Sequence, residues 1–372
     1  MAAIKSKTGS VLLAALALPG LIPNQAVADN APEQAIVAFK DLYYGDAQPG
    51  LKRITVNAPS IYALAPLGES WSVEAATVVD SLSGASPRYY STVSGASQMH
   101  DNRVAADARA TYYRERSAYS VSISHSQEHD YVSNAASLDA HFSTADNNTT
   151  FNVGVGAASD TINPVTHQVE NEHKKTYQGI AGITQALTPI DLVQLQLGYS
   201  DGSGYFSDPY KLFDNRPRKR GEGTALLRWN HHFDAPSATL RLSYRYYSDS
   251  FAVHAHTLGL EWVQPVSSAV TLVPALRYYM QSSASFYYDP PPTGHFPAIP
   301  DGAYSSLDQR LAAFGALEFS TKLEWRVDAH WSTDLKAEYY EQRPTWRVAG
   351  GGSPGLDPFR YVAIQFGLSR RF

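Results

Sequence analysis

The 372-residue chain contains no cysteine, so disulfides, thiolate metal sites and cysteine nucleophiles are excluded. It also lacks any stretch of the roughly 20 apolar residues that a membrane-spanning helix needs. Basic excess is missing as well, because the formal charge is -5, which argues against a nucleic-acid partner. Nucleophile-elbow, zinc-helix, Walker and dinucleotide patterns are all absent. No enzyme class and no cofactor is therefore expected.

What the chain does contain is alternation. In the last twelve residues, Val362, Ile364, Phe366, Leu368 and the terminal Phe372 share one face of a strand, and Ala363, Gln365, Gly367, Ser369 and Arg371 share the other. An amphipathic strand ending in a bare Phe would leave an aggregation-prone edge in a soluble sheet, whereas a barrel pairs that edge with its first strand. The ending resembles the assembly signal of bacterial outer-membrane barrels, with Phe372 as its terminal residue. Arg370 departs from the pattern by taking a nominally outward position, from which it can snorkel into the headgroup layer.

At the other end, Lys5 and Lys7 precede the apolar run Val11 to Ile22, and Ala26-Val27-Ala28 offers small residues before Asp29. Residues 1 to 28 read as a secretory signal peptide and residues 29 to 372 as the exported barrel. Removing the first segment takes away two lysines and no acid, moving the formal charge from -5 to -7. The composition, 44% hydrophobic with 24 Tyr, suits a barrel, in which only alternate strand residues meet lipid and aromatics ring both interfaces.

Period-2 runs recur with turn signals between them. Ile54, Val56, Ala58, Tyr62 and Leu64 are read as the outward face of one strand, and Trp71, Val73, Ala75 and Val79 as that of the next. Tyr119, Val121 and Ile123 oppose a serine ladder, Ser120 to Ser126, and Leu311 to Trp325 is read as a strand near the end. The direct count is about fifteen. Bacterial single-chain barrels have an even number, and Ile36 to Tyr44 supplies the missing strand, so an antiparallel up-and-down transmembrane β-barrel of about sixteen strands is expected. Long connections at 83–100, 159–175, 204–222, 283–305 and 346–357 alternate with short ones, which places the short turns at the periplasmic side.

Several segments resemble a family of Gram-negative outer-membrane proteins defined by the domain of unknown function 3570. They are Gln48-Pro-Gly-Leu-Lys-Arg53, Asp80-Ser-Leu-Ser-Gly-Ala-Ser-Pro87, Gly202-Ser-Gly-Tyr-Phe-Ser-Asp-Pro-Tyr210, Tyr244-Arg-Tyr-Tyr-Ser-Asp249 and Leu276-Arg-Tyr-Tyr-Met-Gln281. The resemblance implies outer-membrane location and supplies neither substrate nor catalytic residues. It also hints at extracytoplasmic redox or flavoprotein systems, which bears on a second class of function, a non-conducting scaffold or sheath for a periplasmic or surface partner. The first class is a pore for small polar solutes. Lipid, lipopolysaccharide and the barrel assembly machinery are the partners expected of either.

Three groups of residues are candidates for function. Arg228, Arg241, Arg245, Arg277 and Arg310 are read as inward from the second half of the barrel, and Glu74, Asp80, Asp107 and Asp139 as inward from the first. Facing walls of opposite sign would orient dipolar solutes, while pairing between neighbours, suggested by Arg103 and Arg109 beside Asp107, would cancel the field. Loop His and carboxylate residues form the second group: His125, Glu128, His129 and Asp130, and His167, Glu170, Glu172 and His173. They suit either a transition metal or plain hydration. His254 and His256 fall on the outward face and read as girdle residues. The third group is the loops themselves, the basic run Asn215 to Arg220 and the proline-stiffened Asp289 to Gly302, which lie over the mouth or fold into it.

Overall fold

The computed structural model describes residues 30–84, 99–211, 213–290 and 299–372. The expected signal peptide lies outside the described residues, as does the end of the Asp80 to Pro87 segment. Sixteen antiparallel strands form one closed barrel in which each strand pairs with its sequence neighbours and β1 (Ile36–Gln48) pairs with β16 (Phe359–Arg371). Between them run β2 (Leu51–Leu67), β3 (Trp71–Gly84), β4 (Met99–Arg114), β5 (Ser117–Gln127), β6 (Tyr131–Ser143), β7 (Thr149–Ile162), β8 (Glu172–Thr188) and β9 (Asp191–Gly204). The second half continues with β10 (Lys219–Phe233), β11 (Ala238–Asp249), β12 (His254–Pro265), β13 (Val270–Gln281), β14 (Phe314–Arg326) and β15 (Trp331–Arg343). The strand number, the antiparallel order and the extra first strand all agree with the sequence reading.

Alternation explains the wall. On β5, Tyr119, Val121 and Ile123 stand outward, 42–60% exposed once the lipid is left out, while Ser120 and Ser122 on the other face are buried. The same holds for Leu195, Leu197 and Tyr199 on β9 and for Val362, Ile364 and Phe366 on β16. An exposed apolar band of this extent is untenable in water and is what a hydrocarbon layer requires. Aromatics cap it: Trp325 and Trp331 at the rim of short turns, and Tyr244 and Tyr246 at the opposite rim, where their hydroxyls meet His256 (2.8 Å) and His254 (3.1 Å). The two histidines are girdle residues, as expected. Arg370 stands outward with its guanidinium 5.3 Å from the Trp331 ring and 4.6 Å from that of Phe372.

One strand face is inverted relative to expectation. On β2, Val56, Ala58 and Tyr62 are buried toward the lumen and Ile61 is 53% exposed on the outside. Ile54 and Leu64 share the inward side with them. The inward face is the more apolar one, since Thr55, Asn57 and Pro59 stand on the outward side with Ile61, so alternation alone points the wrong way. The choice is made by register: Leu67, Ala65 and Ala63 oppose the outward Trp71, Val73 and Ala75 of β3, and a one-residue slip would reverse the whole strand.

Two boundaries also move. β1 runs through Gln48 to a two-residue turn at Pro49 and Gly50, whose positive φ of 72° suits the third position of a type II turn. β14 begins at Phe314, not Leu311, because residues 309–311 form a single 3₁₀ turn of the preceding connection. With that correction the long connections 163–171, 205–218, 282–313 and 344–358 start and end on one rim, and residues 85–98 lie outside the described residues. That rim also carries three short links, including the Pro49-Gly50 turn, so length alternation is a tendency of this barrel and parity is the stronger argument.

The Phe372 backbone N–H donates to the Ala35 carbonyl at 3.0 Å, one step beyond the β1–β16 ladder. Deletion of Phe372 is expected to lower the amount of folded barrel in outer membranes, measured by the heat-dependent gel shift of folded barrels. Unchanged levels would remove this residue from assembly. Topology gives a second test. A cysteine replacing Tyr304, in connection 282–313, should label from outside intact cells, and one replacing Val266, in the β12–β13 turn, should label only after the outer membrane is opened.

Candidate functional site: the lumen and its loop plug

The expected charged walls are present as inward side chains, and some of their charges pair locally. Arg103 binds Asp80 (Nε to Oδ2, 2.6 Å), and Arg109 binds Asp139 at 3.0 Å while donating to Ser122 at 3.1 Å. Glu74 accepts from Tyr62 at 2.8 Å, and Asp107 accepts from Ser124. Gly154 makes room for the Asp139 carboxylate, since a Cβ there would lie 2.5 Å from its oxygen. Across the barrel, Arg228 reaches Gln194 (3.2 Å), Arg241 reaches Glu261 (3.4 Å) and Arg277 forms an ion pair with Glu318. A transverse field needs unneutralised walls, and ion pairs neutralise Asp80, Asp139, Arg241 and Arg277, while Arg228, Glu74 and Asp107 bond neutral groups and keep their charge. Arg245 is the exception: it makes no hydrogen bond or ion pair among the described residues and is exposed to the lumen.

Arg310 is inward but not on a strand. It belongs to connection 282–313, whose described residues fold into the outer mouth with those of connection 205–218, while residues 291–298 of the proline-stiffened segment lie outside the described residues. Asn215 and Ser305 form an antiparallel bridge, and Tyr287 and Ser306 a parallel one. Phe206, Phe251, Val253, Ala284, Phe286 and Leu311 form a small apolar core inside the mouth, and Leu356 of connection 344–358 joins a second with Ala312 and Phe314. The plug spans the opening far enough for Gln48 of β1 to donate to Gln309 at 3.2 Å.

A buried ion cluster ties the two loops together. Asp308, with a fully buried side chain, accepts from Arg216 Nη2 at 2.7 Å, pairs with Arg310 and lies 3.5 Å from Lys211 Nζ. Arg216 also pairs with Asp214 at 2.9 Å, and Arg310 with Asp208 at 3.0 Å. Burial pushes the Asp308 carboxyl up, but the surrounding charges of Arg310, Lys211 and Arg216 outweigh it and hold the group well below the usual carboxylate range. The basic run Asn215 to Arg220 is thereby divided. Arg216 points into the plug, Arg218 pairs outward with Glu172 at 2.6 Å, and Arg220 binds Asp249.

The loop histidines take separate partners. His125 sits on β5 with Nδ1 2.8 Å from Asn134, and His167 lies 3.5 Å from Glu170 on an exposed turn. Among the described residues no three His, Asp or Glu side chains converge as metal ligands.

Beneath the plug lies a cavity of about 590 Å³. Its wall carries a set of tyrosines that the sequence reading did not single out. Tyr247, Tyr279 and Tyr340 each hydrogen-bond an acceptor two residues farther along the same strand, Asp249 (2.9 Å), Gln281 (2.5 Å) and Gln342 (3.1 Å). Tyr44 does the same with Asp46 at 3.0 Å, and Tyr361 stacks on Tyr340 with centroids 4.7 Å apart. All four pairs lie on strands running toward the plugged rim, so the motif Tyr-x-(Asp/Gln) is a readable signal of a lumen belt at that height. Arg53 also opens on this cavity, packed over the Phe359 ring at 5.1 Å.

The family model described as Protein of unknown function (DUF3570) matches residues 8–171 and 165–362. The chain belongs to that family. No curated protein matches it. Among solved structures, a bacterial polysaccharide outer membrane secretin superposes with a TM-score of 0.53 at 8% identity, covering 91% of this chain and 98% of that one. The Pseudomonas aeruginosa protein OccK11 (OpdR) gives 0.45 at 9% identity over 94% and 100%, and Vibrio cholerae OmpT gives 0.45 at 6% over 93% and 98%. These likenesses concern the fold. This DUF3570 member is a bacterial outer-membrane β-barrel.

The ion cluster makes a direct prediction. Asp308→Asn leaves Arg216, Arg310 and Lys211 without their common counter-charge, at a cost of about 3–5 kcal/mol to the plug. Protease cleavage within 299–313 should appear in the variant and not in the wild type, with the barrel intact. In the wild type the plug should stay protected down to pH 4. A depressed carboxyl contributes stability above its unfolded value of about 3.9, and that stability is lost only as the pH falls through the lower folded value.

Proposed function

We propose that this barrel is a pore for small polar solutes whose outer mouth is narrowed by inward-folded loops. The observation that carries the reading is the accessible surface of inward charges below the plug. The Arg241, Arg277, Glu261 and Glu324 side chains keep 32%, 44%, 48% and 45% of their accessible surface, although all face the interior of a closed wall. A filled barrel would bury them, and a lumen lined by solvated charge is what passage of polar solutes requires. The plug makes the pore selective by narrowing it, and its loops are anchored by ion pairs that a solute or pH change can break. The assembly machinery, through the strand ending in Phe372, and lipopolysaccharide around the outer rim complete the set of partners in this reading.

Conduction in planar bilayers tests it. Replacing Arg241 and Arg245 together with Glu exchanges two positive charges for two negative ones and should move the reversal potential toward cation selectivity. Sequence position alone favours the deeper Arg241 as the larger contributor, if the narrowing is central. The plug puts the narrowing in the outer half, and Arg245 is unpaired among the described residues while Arg241 is neutralised by Glu261, so the single Arg245→Glu change should account for most of the shift. A wild-type barrel without conductance would defeat the pore reading and favour the scaffold or sheath for a periplasmic or surface partner.

A further inference from the structure

The cavity beneath the plug has an unbalanced charge. Six arginines line it, Arg53, Arg216, Arg220, Arg245, Arg277 and Arg310, against two acids, Asp208 and Glu222. Four of the six are neutralised by acids outside the cavity lining. Arg216 and Arg310 are held by Asp308, Arg220 by Asp249 and Arg277 by Glu318, none of which faces the cavity.

Two arginines are left. Among the described residues Arg245 has no hydrogen-bonding or ionic partner, and the Arg53 side chain, only 2% exposed, has Nε and Nη1 without hydrogen bonds. Its one counter-charge, Asp46, stands 3.9 Å away, beyond hydrogen-bond distance, and already accepts from Tyr44 and the Ile54 backbone. A buried guanidinium with two unmet donors is costly, and an anion that supplied the missing acceptors would remove that cost.

The rest of the cavity says what kind of anion. Phe359 carries Arg53 on its face, and the Tyr340 ring stands 6.1 Å from that of Phe359 and stacks on Tyr361. Phe206, Phe251 and Phe314 line the side toward the loops. Aromatic faces suit a flat apolar body, and an arginine fork suits a carboxylate bidentately. A volume of about 590 Å³ lies within the range for one small organic molecule.

From these features we infer that the cavity is a binding site for small aromatic carboxylates, with Arg245 and Arg53 as the anion donors. The inference rests on the pore reading for its purpose, since it makes the site a selective stage of permeation, but binding itself requires no conduction. Arg245 meets the carboxylate where the lumen is hydrated. Arg53 sits deeper in the wall of the same cavity, and the tyrosine belt fills the space around the ring.

Equilibrium binding to the purified barrel in detergent tests this, with benzoate as the probe and titration calorimetry as the readout. Benzoate should bind saturably. Arg245→Gln should weaken it about tenfold or more, the loss expected when a charged hydrogen-bond donor is removed. Benzyl alcohol, which keeps the ring and lacks the charge, and inorganic phosphate, which keeps charge and lacks the ring, should both bind more weakly than benzoate. Arg245 makes no hydrogen bond or ion pair among the described residues, so its replacement should leave the heat-dependent gel shift unchanged. Arg53→Lys, which retains the buried charge but not the fork, provides a second variant and should also weaken benzoate. Equal affinity of benzoate for wild type and both variants, or no saturable binding, overturns the inference. So does phosphate binding as tightly as benzoate. A barrel that binds benzoate without conducting defeats the pore reading alone, and one that conducts without binding defeats this inference alone.

Discussion

The structure depends on closure. In hydrocarbon no water is available to satisfy a free strand edge, so every inward and outward feature of this protein presupposes the ladder between β1 and β16, from Ile36 opposite Arg371 to Ala47 opposite Arg360. Closure fixes register all the way round, because each strand inherits its facing from its neighbour. That is why β2 turns its Val56, Ala58 and Tyr62 inward although its own alternation points the other way; Arg53, of the opposite parity, reaches the lumen because the β1–β2 register shifts between Gly45 and Ala47.

A wall fixed in this way leaves the variable part of the molecule to its loops. The plug is held by contacts between residues far apart in sequence, such as Arg310 with Asp208 and Arg216 with Asp308, and by small apolar cores that a long, proline-rich connection would not suggest. The ion cluster and the tyrosine belt meet at one height, the first belonging to the loops and the second to the strands. The cavity lies where they meet, and its positive excess arises because the acids that neutralise its arginines stand outside its lining.

Strand positions, strand number and the outward faces of β3 to β5 and β9 to β16 were legible in the sequence, because there one face is polar and one apolar and a two-residue period is unambiguous. The serine ladder of β5 is the clearest case. β2 was not legible, since Ile54, Val56, Ala58, Tyr62 and Leu64 form its more apolar side, with Thr55 and Asn57 opposite, and yet that side faces the lumen because its neighbours decide. The inward arginines were identified by type and alternation, but their partners were not, except where Arg103 and Arg109 flank Asp107. Arg310 was assigned to a strand because Leu311 to Trp325 continues its alternation, and the 3₁₀ turn that interrupts it is stabilised by Asp308, whose role is set by Arg216 and Lys211 in another loop. The Tyr-x-(Asp/Gln) pairs were visible and unread: a hydroxyl and an acceptor two residues apart on one strand face can satisfy each other without leaving the wall.

Arg370 between Trp331 and Phe372 fixes a vertical coordinate. An apolar belt alone lets a barrel slide along the membrane normal at small cost, since one shallow residue replaces another. A guanidinium clamped between two rings at the inner rim must remain among the headgroups, and the Tyr244–His256 and Tyr246–His254 pairs define the opposite rim. The barrel therefore has a preferred bilayer thickness set at both ends, and membranes thicker or thinner than this must deform around it.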